Sequence, residues 1–203
     1  MKKFLIFSIA LSAALGSMAQ VSVSLNPQVG VIGVSTTDEP STGINTKNRV
    51  GAIVGLDGRV GGQFYFQPGV FVTTSKTLYN FEDSLGFNDD ELARTSLRIK
   101  AMAGAKVYDR EHFRVRVAVG PTYDFLISLK DDGNTLIDKE EFRDGTFNLD
   151  ATVGLDFYFL TFDVGYTYGL SNVYQENSNF NPNAKYQGVY ATVGLVFGLT
   201  ESD

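Results

Sequence analysis

The chain has no cysteine, no tryptophan and a single histidine among 203 residues. Without cysteine it has no disulfide, no thiol chemistry and no residue on which a bacterial lipoprotein anchor could be built. The lone histidine, His112, has no serine nucleophile near it, and one side chain does not make a triad. We therefore expect no catalytic residue, no enzyme activity and no cofactor. Positive charge is also scarce. The 17 Lys and Arg are outnumbered by 23 Asp and Glu, giving −6 overall and −8 once Lys2 and Lys3 are removed, which argues against nucleic acid as a partner. Long apolar runs are absent except from Phe4 to Leu15, too short to span a bilayer as a helix. With Lys2 and Lys3 before it and Ser17-Met18-Ala19 after it, that run predicts a secretory signal peptide over residues 1–19. The mature domain is then 20–203.

What is present is alternation. From Phe147, every second residue is apolar: Phe147, Leu149, Ala151, Val153, Leu155, Phe157 and Phe159. The residues between them are Asn148, Asp150, Thr152, Gly154, Asp156 and Tyr158. After Leu160 the pattern resumes with Phe162, Val164, Tyr166, Tyr168 and Leu170 opposite Thr161, Asp163, Gly165, Thr167 and Gly169. A water-soluble barrel needs its apolar side chains inside, yet Asp, Asn, Thr and Gly cannot build an oily core. Lipid resolves the conflict: if the apolar face meets acyl chains and the polar face points into a closed barrel, every backbone group is paired.

The rest of the chain repeats the pattern. Strands are predicted at Val21–Val34, at Val50–Leu56, from Phe64 through Val72, at Ser96–Val107 and at Phe113–Ile127. The hairpin beginning at Phe147 and a last strand from Val189 to Leu199 bring the number to eight. Asp57-Gly58-Arg59-Val60-Gly61-Gly62 reads as a tight turn, and Lys76 to Arg94 and Lys130 to Thr146 read as long polar loops. Long and short connections alternate, as in an up-and-down meander with short periplasmic turns, longer external loops and both termini in the periplasm. The outward aromatics then fall into two girdles, one at each interface. The fold class expected is all-β: an eight-stranded antiparallel up-and-down transmembrane β-barrel. Ala151-Thr152-Val153-Gly154-Leu155 recurs as Ala191-Thr192-Val193-Gly194-Leu195, a strand solution used twice.

The chain resembles the small eight-stranded outer-membrane barrels, in particular the PorT-like, porin-family barrel domain common in Bacteroidota. The strongest local match is Thr192 to Leu199, similar to the terminal-strand signal read by the barrel-assembly machinery, with Thr192, Gly194, Phe197 and Leu199 at its marked positions. Leu199 stands where an aromatic is usual. The resemblance implies an outer-membrane location, the assembly machinery as a partner during biogenesis, and membership of a class with no single activity.

Five cations, Arg98, Lys100, Lys106, Arg114 and Arg116, are expected to point inward from the fourth and fifth strands, and Asp124, Asp150, Asp156 and Asp163 inward from the fifth to seventh. They read as a charge network filling a lumen in which eight strands leave room only for side chains. Lys130 to Phe142 is similar to a calcium loop at Asp132, Asn134, Asp138 and Glu141, but Lys130 and Thr135 stand where an aspartate and a glycine are needed. A solvated acidic loop is the expectation, with no metal. The functional expectation is a structural or interaction role at the envelope, with outer-membrane lipid and an envelope protein as partners. The alternatives are a narrow channel for small solutes and a subunit of a secretion assembly.

Overall fold

The computed structural model describes residues 22–36, 45–48, 50–83, 86–131, 144–172 and 185–198. Ten strand segments lie among them: β1 Ser22–Thr36, β2 Asn45–Asn48, β3 Val50–Gly61, β4 Phe64–Asp83, β5 Gly86–Arg110, β6 Phe113–Asp131, β7 Gly145–Phe157, β8 Leu160–Asn172, β9 Lys185–Leu195 and β10 Phe197–Gly198. Eight of these form the wall, in the order β1-β3-β4-β5-β6-β7-β8-β9, each antiparallel to its neighbours. The wall closes because β1 also pairs with β9, from Gln28 opposite Gly194 to Thr36 opposite Tyr186. β10 continues the last strand beyond a break at Val196 and pairs with Ser24 and Leu25. The result is the closed eight-stranded all-β barrel expected, with no free edge along the wall.

The faces divide as the alternation predicts. Val29, Val54, Val70, Val119, Val153, Val164 and Val189 are each about half exposed on the outside, whereas Asn26, Thr122, Thr146, Asn148, Thr161 and Thr167 are almost wholly buried inside. Exposed Phe64, Phe66, Phe113, Phe157, Phe159, Phe162 and Phe197 ring the end with short turns. Tyr123, Phe125, Phe147, Tyr166 and Tyr168 ring the other. These are the two aromatic belts of a membrane-spanning wall.

Three boundaries differ from the sequence reading. β3 runs on to Gly61, because alternation persists through Asp57 and Arg59; the reversal uses Gly61, at φ 142°, with Gly62 and Gln63. β4 and β5 do not stop at a polar loop but stay paired out to Asp83 opposite Gly86, and β2 adds a third strand along Thr77 to Asn80. At 20 and 25 residues they greatly exceed the 9 to 11 or so that a tilted strand needs to cross the hydrocarbon layer, so the ribbon projects beyond the barrel. The third difference is at the β7–β8 turn. It is made by Tyr158 and Phe159, with Tyr158 at φ 53° and its amide donating to His112 O at 3.1 Å. Tyr158 thus leaves the inward face assigned to it. Gln187, before the start expected for the last strand, faces outward, its Oε1 accepting from Tyr166 Oη at 3.2 Å.

Inside, three glycines lie directly across the ladder from aromatic residues: Gly55 from Phe71, Gly104 from Tyr65 and Gly165 from Tyr190. In each case the ring occupies the space a β-carbon would need. This lets large rings lie flat over the neighbouring strand and fill the barrel. The rings seed two small apolar layers, one of Ile32, Ile53, Phe71 and Tyr190, the other of Tyr65, Met102 and Ala118. Gly165→Leu is therefore expected to displace the Tyr190 ring and break its 2.7 Å bond to Thr152 Oγ1. Overpacking of this kind costs roughly 1–3 kcal/mol. Urea unfolding in lipid vesicles measures it, and a midpoint unchanged from wild type would contradict the packing described.

Candidate functional site: the charged lumen

Among the described residues two polar clusters fill the interior, one in each half. In the half nearer the short turns, Arg116 from β6 donates Nε to Asp156 Oδ2 at 2.9 Å and Nη2 to Asp156 Oδ1, Asp163 Oδ1 and Thr161 Oγ1, each at 2.8 Å. Arg59 from β3 reaches the same group: Nη1 lies 3.1 Å from Asp156 Oδ2, and Nη2 donates to Thr161 Oγ1 at 3.0 Å. The network continues upward. Gln28 donates Nε2 to both Asp163 Oδ2 (3.0 Å) and Asp57 Oδ2 (3.1 Å), and accepts at Oε1 from Thr192 Oγ1 at 2.8 Å. Asp57 further accepts from Asn26 (2.8 Å) and Gln67 (2.7 Å) and pairs with Lys100 Nζ at 2.9 Å. Three cations meet three carboxylates here, so the desolvation cost of burying them is offset by near-complete pairing.

The second cluster, toward the long connections, is less balanced. Arg98 grips Asp124 with two parallel bonds, Nε to Oδ1 at 2.7 Å and Nη2 to Oδ2 at 2.8 Å, the fork-to-carboxylate geometry that arginine is shaped for. Its Nη1 donates to Thr167 Oγ1 at 3.1 Å and lies 3.6 Å from Asp150 Oδ2. Two carboxylates thus share one guanidinium. Asp150 Oδ2, Asn148 Oδ1 and Thr146 Oγ1, on successive inward positions of β7, are buried without a hydrogen-bond partner.

The structure places Arg98, Lys100, Arg116, Asp124, Asp150, Asp156 and Asp163 deep in the lumen, with Lys106 and Arg114 on the same inward face but at its mouth. Those two sit at the rim with Asp109, Lys106 Nζ at 3.5 Å and Arg114 Nε at 2.9 Å. Their partner's side chain is 46% exposed. Both keep the inward face, Lys106 opposite Arg116 and Arg114 opposite Asp156, but they stand at the short-turn ends of β5 and β6, where the lumen opens. Sequence reasoning also missed Asp57 and Arg59, absorbed into a supposed turn. Their signal was available: both lie at even spacing from Ile53 and Gly55, on the inward parity.

Of the terminal-strand positions, Thr192 and Gly194 face inward against Gln28, Phe197 faces out, and Leu199 lies outside the described residues. The calcium-loop positions Asp132, Asn134, Asp138 and Glu141 also lie outside them. Among the described residues no group of three or more His, Cys, Asp or Glu is placed to hold a metal. His112, in the β5–β6 turn, packs tilted against Tyr158 of the β7–β8 turn, with 4.5 Å between ring centroids.

A closed antiparallel wall with aromatic belts, an apolar outside and a paired, polar inside defines a transmembrane β-barrel of the outer-membrane class. The family model of the outer membrane protein beta-barrel domain matches residues 18–175, and the chain belongs to that family. Among solved structures, OprG of Pseudomonas aeruginosa superposes with a TM-score of 0.55 at 10% identity, covering 87% of this chain and 94% of that one. This likeness is one of fold. Ail of Yersinia pestis aligns with a TM-score of 0.45 at 14% identity over 86% of this chain and 98% of Ail. The Neisserial surface protein NspA aligns at 0.41 and 13%, over 88% and 99%. No curated protein matches the chain in sequence.

Proposed function

We propose that the protein is a non-conducting barrel that holds an interaction surface at the outer membrane. The observation that carries this reading is the filled lumen: Arg98, Arg116, Asp57, Asp150 and Asp163 are each at most 2% exposed. A path for solutes has to break several charge-assisted bonds at once. The interaction surface is the ribbon of β4 and β5 with β2 along its side, which extends the wall past the belts. We take residues 1–19 to be cleaved as a signal peptide, both termini to be periplasmic and the ribbon to be external. The finer resemblance to PorT-like barrels of Bacteroidota favours an envelope protein as the ribbon's partner, with the barrel-assembly machinery acting in biogenesis.

Conductance in planar bilayers tests the reading. Wild-type protein is expected to give no unitary steps above the lipid baseline, and stable steps would overturn it. A second reading, a narrow proton or cation path, is favoured by the unpartnered oxygens of Asp150, Asn148 and Thr146. It requires flux into vesicles loaded with a pH-sensitive dye, abolished by Asp150→Asn. Equal, baseline flux from both proteins leaves the non-conducting barrel standing.

A further inference from the structure

A register shift just after Lys106, between it and Tyr108, turns the end of β5 inside out. Beyond it, Tyr108 pairs with outward Val115 and Arg110 with outward Phe113, while Asp109 pairs with inward Arg114. Bulges characteristically re-aim side chains in this way. Here the effect is to put an arginine on the lipid-facing side of the wall. Its guanidinium lies over the Tyr108 ring, 6.0 Å from the centroid, and Tyr108 in turn packs 6.0 Å from Phe113 within the aromatic belt. Among the described residues no carboxylate pairs with Arg110. The nearby charges are Lys106 and Arg114, both engaged by Asp109, and the exposed Glu111 of the turn.

Above Arg110 the same wall carries a groove of about 320 Å³, open to the membrane and almost wholly apolar. Ala103 and Ala105 form its floor, with Phe64 on one side and Val117 and Val119 on the other. Phe64 is 75% exposed and stands as a wall to the groove. From Arg110 to Ala105 is five residues, roughly 16 Å along a strand and about 12 Å in depth at a strand tilt of about 40°. That lies within the half-thickness, about 15 Å, of the hydrocarbon layer.

We propose that this wall binds one anionic phospholipid, its phosphate on Arg110 and one acyl chain laid along the groove over Ala103 and Ala105. The free guanidinium beside a tyrosine at belt depth recognises a phosphate, and an arginine in that place binds it as a fork where a lysine offers only a point charge. A concave, apolar groove suits a flexible chain. A second copy of the barrel would bring a convex wall to it and leave Arg110 facing lipid without a counter-charge.

The test is native mass spectrometry of the full chain released from mixed micelles holding equal phosphatidylglycerol and phosphatidylethanolamine. One retained lipid is expected, with phosphatidylglycerol preferred. Arg110→Gln should lower that preference about fivefold, the effect of one interfacial cation. Ala103→Leu with Ala105→Leu should reduce retention of both lipids, since it fills the groove and spares the head-group contact. Arg114→Gln, a change at the inward rim, should leave the preference intact. Heat-modifiable gel mobility establishes that each variant is folded before it is scored. Equal retention of the two lipids by wild type, or an unchanged preference in Arg110→Gln, overturns the proposal. So does a protein dimer retained in place of the lipid.

Discussion

Asp156→Ala is expected to destabilise the folded barrel by about 3–5 kcal/mol, the cost of removing one partner from a buried charge network. The size reflects how the carboxylate is shared. Asp156 takes two bonds from Arg116, at 2.9 and 2.8 Å, and two from Arg59, at 3.2 and 3.1 Å. Once it is gone, both guanidiniums depend on Asp163, which Arg116 reaches at 2.8 Å but Arg59 only at 3.9 Å. No solvent compensates, because Arg59 and Arg116 are both buried.

The comparison that gives the number meaning is Asp109→Ala. Asp109 also serves two cations, Lys106 and Arg114, but at the exposed rim, where an ion pair is worth about 0–1 kcal/mol. Urea titrations of both variants in lipid vesicles, read by gel mobility without heating, should separate them by several kcal/mol. Adding Arg59→Gln to Asp156→Ala should recover part of the loss, because the second change removes the cation stranded by the first. Equal destabilisation by Asp156→Ala and Asp109→Ala, or no recovery in the double variant, would refute the lumen network as a source of stability.

That network was only partly legible in the sequence, and the gaps have physical causes. Alternation specifies a face only while the register is unbroken, because every slip by one residue exchanges inside for outside. From Phe147 to Phe157 the register is unbroken, and every side chain there lies on the face assigned to it. Just past Lys106 a bulge intervenes, so parity continued from Ser96 holds through Lys106 but would put the residues from Tyr108 to Arg110 on the wrong face. Asp57 and Arg59 were lost for the opposite reason. The glycines around them suggested a turn, although Gly58 is outward-facing strand and only Gly61 adopts the positive φ that requires glycine. The length of the β4–β5 ribbon was hidden too, since polar composition distinguishes water from lipid as surroundings but does not distinguish a loop from a paired strand in water.

The apolar outside supports a second large effect. Val153→Arg is expected to cost about 2–4 kcal/mol, the penalty for an arginine at the midplane of a bilayer on the lipid face of a barrel. Val153 lies mid-strand on β7, opposite Val164, and each is more than half exposed. This exposure separates two physical pictures. In water, an exposed valine exchanged for arginine alters stability by no more than about 0.5 kcal/mol, because nothing packs on it and the charge is solvated. In lipid the same exchange carries a guanidinium into hydrocarbon with no partner within reach. Depth supplies the internal control: Leu170→Arg, near the end of β8, lets the side chain snorkel to the interface and should cost only about 0–1 kcal/mol. A gradient from Val153 to Leu170, measured by urea unfolding in vesicles, identifies the solvent of this face as lipid. Equal and negligible costs at both positions would mean that the face meets water, and the interior charges would then belong to a soluble barrel.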